Sequence, residues 1–114
     1  MEAQRLAWVR RAAAELGVTV LLKGSTTLIA EPDGTTRVNP TGTPLLGTAG
    51  SGDVLSGAIG ALLAAGLTAL DAATAAAYLH GMAARLAGAN GATISAGDLL
   101  THWSEAVGTV FLGD

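Results

Sequence analysis

The chain contains no cysteine, so disulfides, thiolate metal sites and cysteine nucleophiles are excluded, and redox compartment leaves no mark on it. Aromatic residues make up 4% and charged residues 13% of the 114 positions, while 50% are hydrophobic, alanine above all, and a further 16 are glycine. This balance favours closely packed helices with small side chains over a core built on large rings. Six Lys and Arg stand against nine Asp and Glu, and the net charge is −3. No basic run exceeds Arg10-Arg11, so the electrostatic footprint of a nucleic-acid binder is missing. The longest apolar run, Ala58 to Leu67, is about half of what a membrane-spanning helix needs. The opening Met1-Glu2-Ala3-Gln4-Arg5 has no signal-peptide core, and a soluble cytoplasmic protein without membrane or nucleic-acid partners is the expectation.

What is present alternates between helical and strand-like periods. Leu6, Val9, Ala13 and Leu16 recur at helical spacing over residues 3 to 16, and Gly17 reads as the stop. Val18 to Leu22 reads as a buried strand, and residues 26 to 39 as a hairpin reversing at Pro32-Asp33-Gly34. Pro40 to Gly50 reads as a loop long enough to carry function. A helical pattern then runs from Ser51 through Ala65, closed by Gly66. Thr68 to Asp71 and Ser95 to Asp98 each fit a capping box, opening helices to about Leu86 and about Val110, with Asn90-Gly91 as the turn between them. The expected class is α/β: a partial sheet with a hairpin, followed by three helices. A sheet of three or four strands with exposed edges is incomplete unless another chain or a missing segment completes it.

The stretch richest in chemistry is Gly47-Thr48-Ala49-Gly50-Ser51-Gly52-Asp53-Val54-Leu55-Ser56-Gly57. Small residues let backbone N–H groups approach an anion, and a helix N-terminus concentrates unpaired donors and positive potential. A carboxylate placed there is repelled by the same phosphate the turn would hold, unless Asp53 removes a proton from the hydroxyl that meets the phosphoryl group. By itself an Asp in a first helical turn also stabilises the helix dipole by about 0.3–1 kcal/mol. Lys23, at the end of a strand, has the reach and charge to meet a phosphate. His80 reads as a helix-packing histidine, and His102 and Trp103 as packing or surface residues.

The Gly50-Ser51-Gly52-Asp53 turn resembles the anion-hole motif of the ribokinase-like superfamily. With Val20 to Ala30, Asn39 to Pro44 and Tyr78-Leu79-His80-Gly81-Met82-Ala83-Ala84 in the same order, the chain from Val18 to about Leu86 resembles the ADP- or ATP-dependent NAD(P)H-hydrate dehydratase family. The resemblance implies a fold, residues 1–114 forming the C-terminal half of a ribokinase-like three-layer domain. It implies a reaction, the dehydration of NAD(P)H hydrate back to the cofactor at the expense of ADP or ATP with Mg²⁺. It also implies roles: Asp53 as general base, Gly50, Ser51 and Gly52 as anion hole, and Lys23, Gly24, Ser25, Thr26 and Thr27 as nucleotide contacts. No metal ligand is assigned.

Three departures qualify the resemblance. Ala49 stands where the family often has a further glycine, and Gly47-Thr48 lacks the acid of the related sugar kinases. The chain is also short for the fold, so a homo-oligomer or a complementing N-terminal half is expected as partner, and activity of the isolated chain is open. The alternatives are a small-molecule kinase of the same superfamily, for a vitamin precursor or sugar, and a non-catalytic, self-associating half-domain.

Overall fold

A computed structural model describes residues 2–42, 50–89 and 95–111 of the chain. The first helix, α1 (Glu2–Leu16), ends where Gly17 adopts φ +68° and donates its N–H to the Ala13 carbonyl at 2.9 Å. Glycine makes this left-handed exit without a Cβ penalty. Three strands follow, β1 (Val20–Leu22), β2 (Thr27–Ala30) and β3 (Thr36–Asn39), in one antiparallel sheet of order β1-β2-β3. The register pairs Leu21 with Ile29 and Ile29 with Arg37. The expected hairpin is present, with β2 one residue shorter at each end and β3 one residue shorter at its start than the pattern suggested. Its reversal closes through the Gly34 N–H to Glu31 O at 3.0 Å, with Asp33 Oδ1 accepting the Thr35 N–H at 2.9 Å.

β2 is the strand on which the layers meet, because every one of its residues is buried. Leu28 and Ala30 point to α1, where they pack with Val9 and Ala13. Ile29, on the opposite face, packs with Leu55, Leu70, Ala73, Ala76 and Ala77. The alternation required by a strand thus divides one sheet between two helical layers. Burying a side chain such as Ile29 is worth roughly 1.5–3 kcal/mol, and at 0% exposure it takes the full effect.

The second layer contains α2 (Ser51–Ala64), α3 (Ala69–Ala87), α4 (Ala96–Thr101) and α5 (Trp103–Phe111). α2 stops in a Schellman arrangement, Leu67 N–H to Leu62 O at 3.1 Å and Gly66 N–H to Leu63 O at 3.0 Å, with Gly66 at φ +102°. Thr68 caps α3 by accepting the Asp71 N–H, and Ser95 and Asp98 form the full reciprocal capping box of α4. The single helix expected from Ser95 to Val110 is two helices, so four rather than three follow the hairpin. The break falls at His102, whose Nδ1 lies 2.9 Å from Glu105 Oε1 in the first turn of α5. No glycine or proline marks that position, so periodicity alone ran across it. The Asn90-Gly91 turn and residues 43–49 of the long loop lie outside the described residues. Among the described residues no helix is long and apolar enough to cross a membrane.

Candidate active site

β1 delivers Lys23 to the opening turn of α2. Its ammonium donates to Ser51 Oγ at 3.0 Å, and a Cβ at Gly52 would lie 3.9 Å from the same nitrogen. α2 starts from Gly50 at φ +86°, a residue that offers no side-chain cap. The positive end of a 14-residue helix and a lysine ammonium therefore converge on one small space beside Gly52. Ser51 is buried, with 1% exposure.

The loop after Lys23 is held from three sides. The Thr27 hydroxyl both accepts the Gly24 N–H and donates to the Gly24 carbonyl, each at 3.3 Å. Arg5 of α1 donates to Thr26 O at 3.2 Å and to Lys23 O at 3.4 Å. Gly42 lies against the Gly24–Ser25 backbone so closely that a Cβ there would meet Gly24 O at 2.6 Å. Thr41 is fixed in turn by α3: Arg85 donates to Thr41 O at 2.8 Å and to Pro40 O at 3.1 Å, and Gly81 gives Thr41 the room to seat. Thr27 is thus buried and spends its hydroxyl inside the loop, whereas Ser25 is exposed at its tip and Thr26 half-buried.

Asp53 follows directly, exposed in the first turn of α2. It lines a cavity of about 430 Å³ together with Val54, Gly57, Ala58, Leu100 and Trp103. Three consecutive residues thus do three things: Ser51 binds Lys23, Gly52 adjoins it, and Asp53 faces a mostly apolar recess. Trp103 packs in the core formed by Ala83, Ala84, Leu99 and Ala106 and also forms one wall of that recess.

Beneath the turn lies His80 of α3, 2% exposed, with Nε2 2.8 Å from the Ser51 carbonyl oxygen. Burial holds the imidazole below its ordinary pKa; the Ser51 hydrogen bond opposes this and the nearby Lys23 charge adds to it. The packing role expected of His80 is present, but its bond to the turn was missed, as were the contacts of Arg5 and Arg85. The donor set fits a phosphoryl group: one ammonium, one hydroxyl and a helix N-terminus. It does not fit a protein-held metal, since among the described residues no group of three or more His, Asp or Glu could hold an ion.

The profile of the NAD(P)H-hydrate dehydratase family matches residues 1–106. The chain belongs to this family. As an NAD(P)H-hydrate dehydratase relative it is 50% identical over 84 residues to the ADP-dependent (S)-NAD(P)H-hydrate dehydratase of Neisseria meningitidis, an alignment covering 74% of this chain and 28% of that protein. It is 50% identical over 86 residues to the bifunctional NAD(P)H-hydrate repair enzyme of Mycobacterium leprae, covering 75% of this chain and 18% of that one. In three dimensions it resembles the ADP/ATP-dependent NAD(P)H-hydrate dehydratase of Bacillus subtilis, co-crystallised with ATP and Mg²⁺, at TM-score 0.79 and 32% identity. That match covers 92% of this chain and 40% of the solved enzyme, and it bears out the expected α/β, ribokinase-like fold. The chain therefore spans less than a third of the length of both curated relatives.

Proposed function

We propose that this chain is the nucleotide-binding and proton-accepting part of a cytoplasmic ADP- or ATP-dependent NAD(P)H-hydrate dehydratase. The observation that carries the reading is the Lys23 ammonium 3.0 Å from Ser51 Oγ, at the uncapped start of α2, one residue away from Gly52 and two from Asp53. Lys23, Gly24, Ser25, Thr26 and Thr27 form the nucleotide loop, with Lys23 contacting phosphate and Thr27 shaping the loop from within. Gly50, Ser51 and Gly52 form the anion hole.

When bound, the nucleotide supplies the phosphoryl group that turns the hydrate's hydroxyl into a leaving group. Asp53 accepts the proton of that hydroxyl, and the neighbouring cavity of about 430 Å³ leaves room beside the carboxylate for the ring that bears it. Lys23 and the Gly52 N–H hold charge where it develops during transfer, in a site that needs no reorganisation at that moment. Mg²⁺ enters with the nucleotide, since among the described residues no group of three or more His, Asp or Glu could hold it. The solved relative is about 2.3 times as long by the shares covered, 92% of this chain against 40% of that one, and residues equivalent to its remainder, on the same polypeptide or on a second chain, complete the hydrate pocket. The small-molecule kinase alternative finds no support in the relatives described above.

The test is turnover of NADH hydrate with ADP and Mg²⁺ by the chain, alone and joined to the remainder of the fold taken from a relative. Asp53→Ala should abolish turnover in the complete fold while nucleotide affinity stays within about threefold, a difference under 1 kcal/mol. Turnover within a few-fold of the parent would remove Asp53 from the base role.

A further inference from the structure

The Ser51–Gly52 peptide is the first peptide of α2. Its plane turns about Ser51 ψ and Gly52 φ, and glycine on one side leaves that second angle freer than any other residue would. Yet its orientation decides the site. In a trans peptide the C=O of one residue and the N–H of the next point in opposite directions, so fixing the Ser51 carbonyl fixes the Gly52 N–H.

Two side chains grip Ser51, one at each end. Lys23 holds its hydroxyl at 3.0 Å and His80 its carbonyl at 2.8 Å. The carbonyl has two lone pairs, so it accepts from His80 as well as serving the helix. His80 is 2% exposed and Ser51 1%, which keeps water from replacing the imidazole. A leucine would fill the same core volume. It would leave the buried carbonyl with one partner fewer and the peptide with one restraint fewer.

We propose that His80 is a positioning residue for the anion-binding turn: its Nε2–H holds the Ser51 carbonyl and thereby aims the Gly52 N–H at the phosphoryl group of a bound adenine nucleotide. The inference rests on the nucleotide reading above. It requires a proton on Nε2, because a carbonyl oxygen accepts only from a protonated nitrogen, and in a neutral ring that leaves Nδ1 unprotonated. Burial and the Lys23 charge favour the neutral ring that this tautomer needs.

The experiment uses the full chain labelled with ¹⁵N at pH 7.5, in parent, His80→Gln and His80→Leu forms. The imidazole nitrogens and the Gly52 amide are followed by NMR, and affinity for ADP with Mg²⁺ by titration. Expected are a parent imidazole protonated at Nε2 only, a Gly52 amide resonance displaced in His80→Leu and restored in His80→Gln, and matching affinities. His80→Gln, which keeps a donor near the Nε2 position, should bind ADP within about threefold of the parent, and His80→Leu about tenfold or more weakly. A parent protonated at Nδ1, or a Leu variant equal to the parent in Gly52 resonance and affinity, overturns the proposal. If His80→Leu does not fold, the parent tautomer and the Gln variant decide it. If the parent itself binds no ADP, the nucleotide reading fails, and the tautomer with the Gly52 resonances still decides whether His80 sets the turn.

Discussion

Replacing Gly81 by alanine should destabilise the chain, against the ordinary preference of helices for alanine. Within a helix that exchange is worth about 1 kcal/mol in favour of alanine. At Gly81, however, the new Cβ would meet Thr41 O at 2.5 Å and the Thr41 carbonyl carbon at 2.6 Å. These are backbone atoms, and they are tethered: Arg85 holds Thr41 O at 2.8 Å, and the Thr41 hydroxyl bonds Tyr78 O at 3.2 Å and Asn39 Oδ1 at 3.0 Å. Relief means moving the Pro40–Gly42 segment and weakening those bonds. Overpacking of this kind costs about 1–3 kcal/mol, and the tethers put Gly81 in the upper part of the range, for a net loss of about 1–2 kcal/mol after the helix gain. For a domain of this size that lowers Tm by roughly 4–16 °C. Gly60 in α2 is the internal control, exposed and with nothing within 4 Å of its would-be Cβ. Gly60→Ala should raise stability by about 0.5–1 kcal/mol. Thermal unfolding followed by far-ultraviolet circular dichroism reads both. A Gly81→Ala protein as stable as the parent would mean that α3 and the Thr41 segment do not press together. Since Gly42 carries the same segment onto Gly24 and Ser25, the Gly81 variant should also weaken nucleotide binding, which Gly60→Ala should leave alone.

Lys23→Met keeps the length of the side chain and removes its charge; ADP affinity should fall tenfold or more, the size of a lost hydrogen bond to a charged group, about 1.5–3 kcal/mol, and an unchanged affinity would take Lys23 out of the site. Ser95→Ala removes the cap that accepts the Asp98 N–H and should cost about 0.5–2 kcal/mol in urea denaturation, with α4 fraying first. His80 gives a pH dependence whose sign is fixed by its lowered pKa. Below about pH 6.5 the unfolded chain takes up a proton that the folded imidazole refuses, so stability is full above that pH and declines as pH falls, levelling off beneath the folded pKa. His80→Gln should flatten this part of the stability profile, and a profile with the parent's slope would assign it to another group.

Much of the fold was legible because local signals agreed with each other. Gly17, Gly34 and Gly66 mark real left-handed turns, and Ser95-Ala96-Gly97-Asp98 marks a real capping box. The break at His102 was not legible, because no glycine or proline marks it and helical backbone bonds continue on both sides, His102 N–H to Asp98 O and Ala106 N–H to His102 O. The same limit applies to the site. Lys23, Gly50, Ser51 and Gly52 stand out through residue type and order, and the chain brings them together. His80, Arg5 and Arg85 act from 29, 21 and 44 positions away on backbone oxygens, contacts that leave no spacing rule in a sequence. Thr27 shows the converse, a threonine matching a nucleotide-loop pattern whose hydroxyl closes the loop on Gly24.

The most direct measurement is calorimetric titration of ADP with Mg²⁺ into the purified chain, with Lys23→Met titrated alongside. Binding of one ADP per chain at micromolar affinity, weakened in the variant, is the expected result. No heat up to millimolar ADP, or equal binding by both proteins, would contradict the placement of the nucleotide at Lys23 and the start of α2.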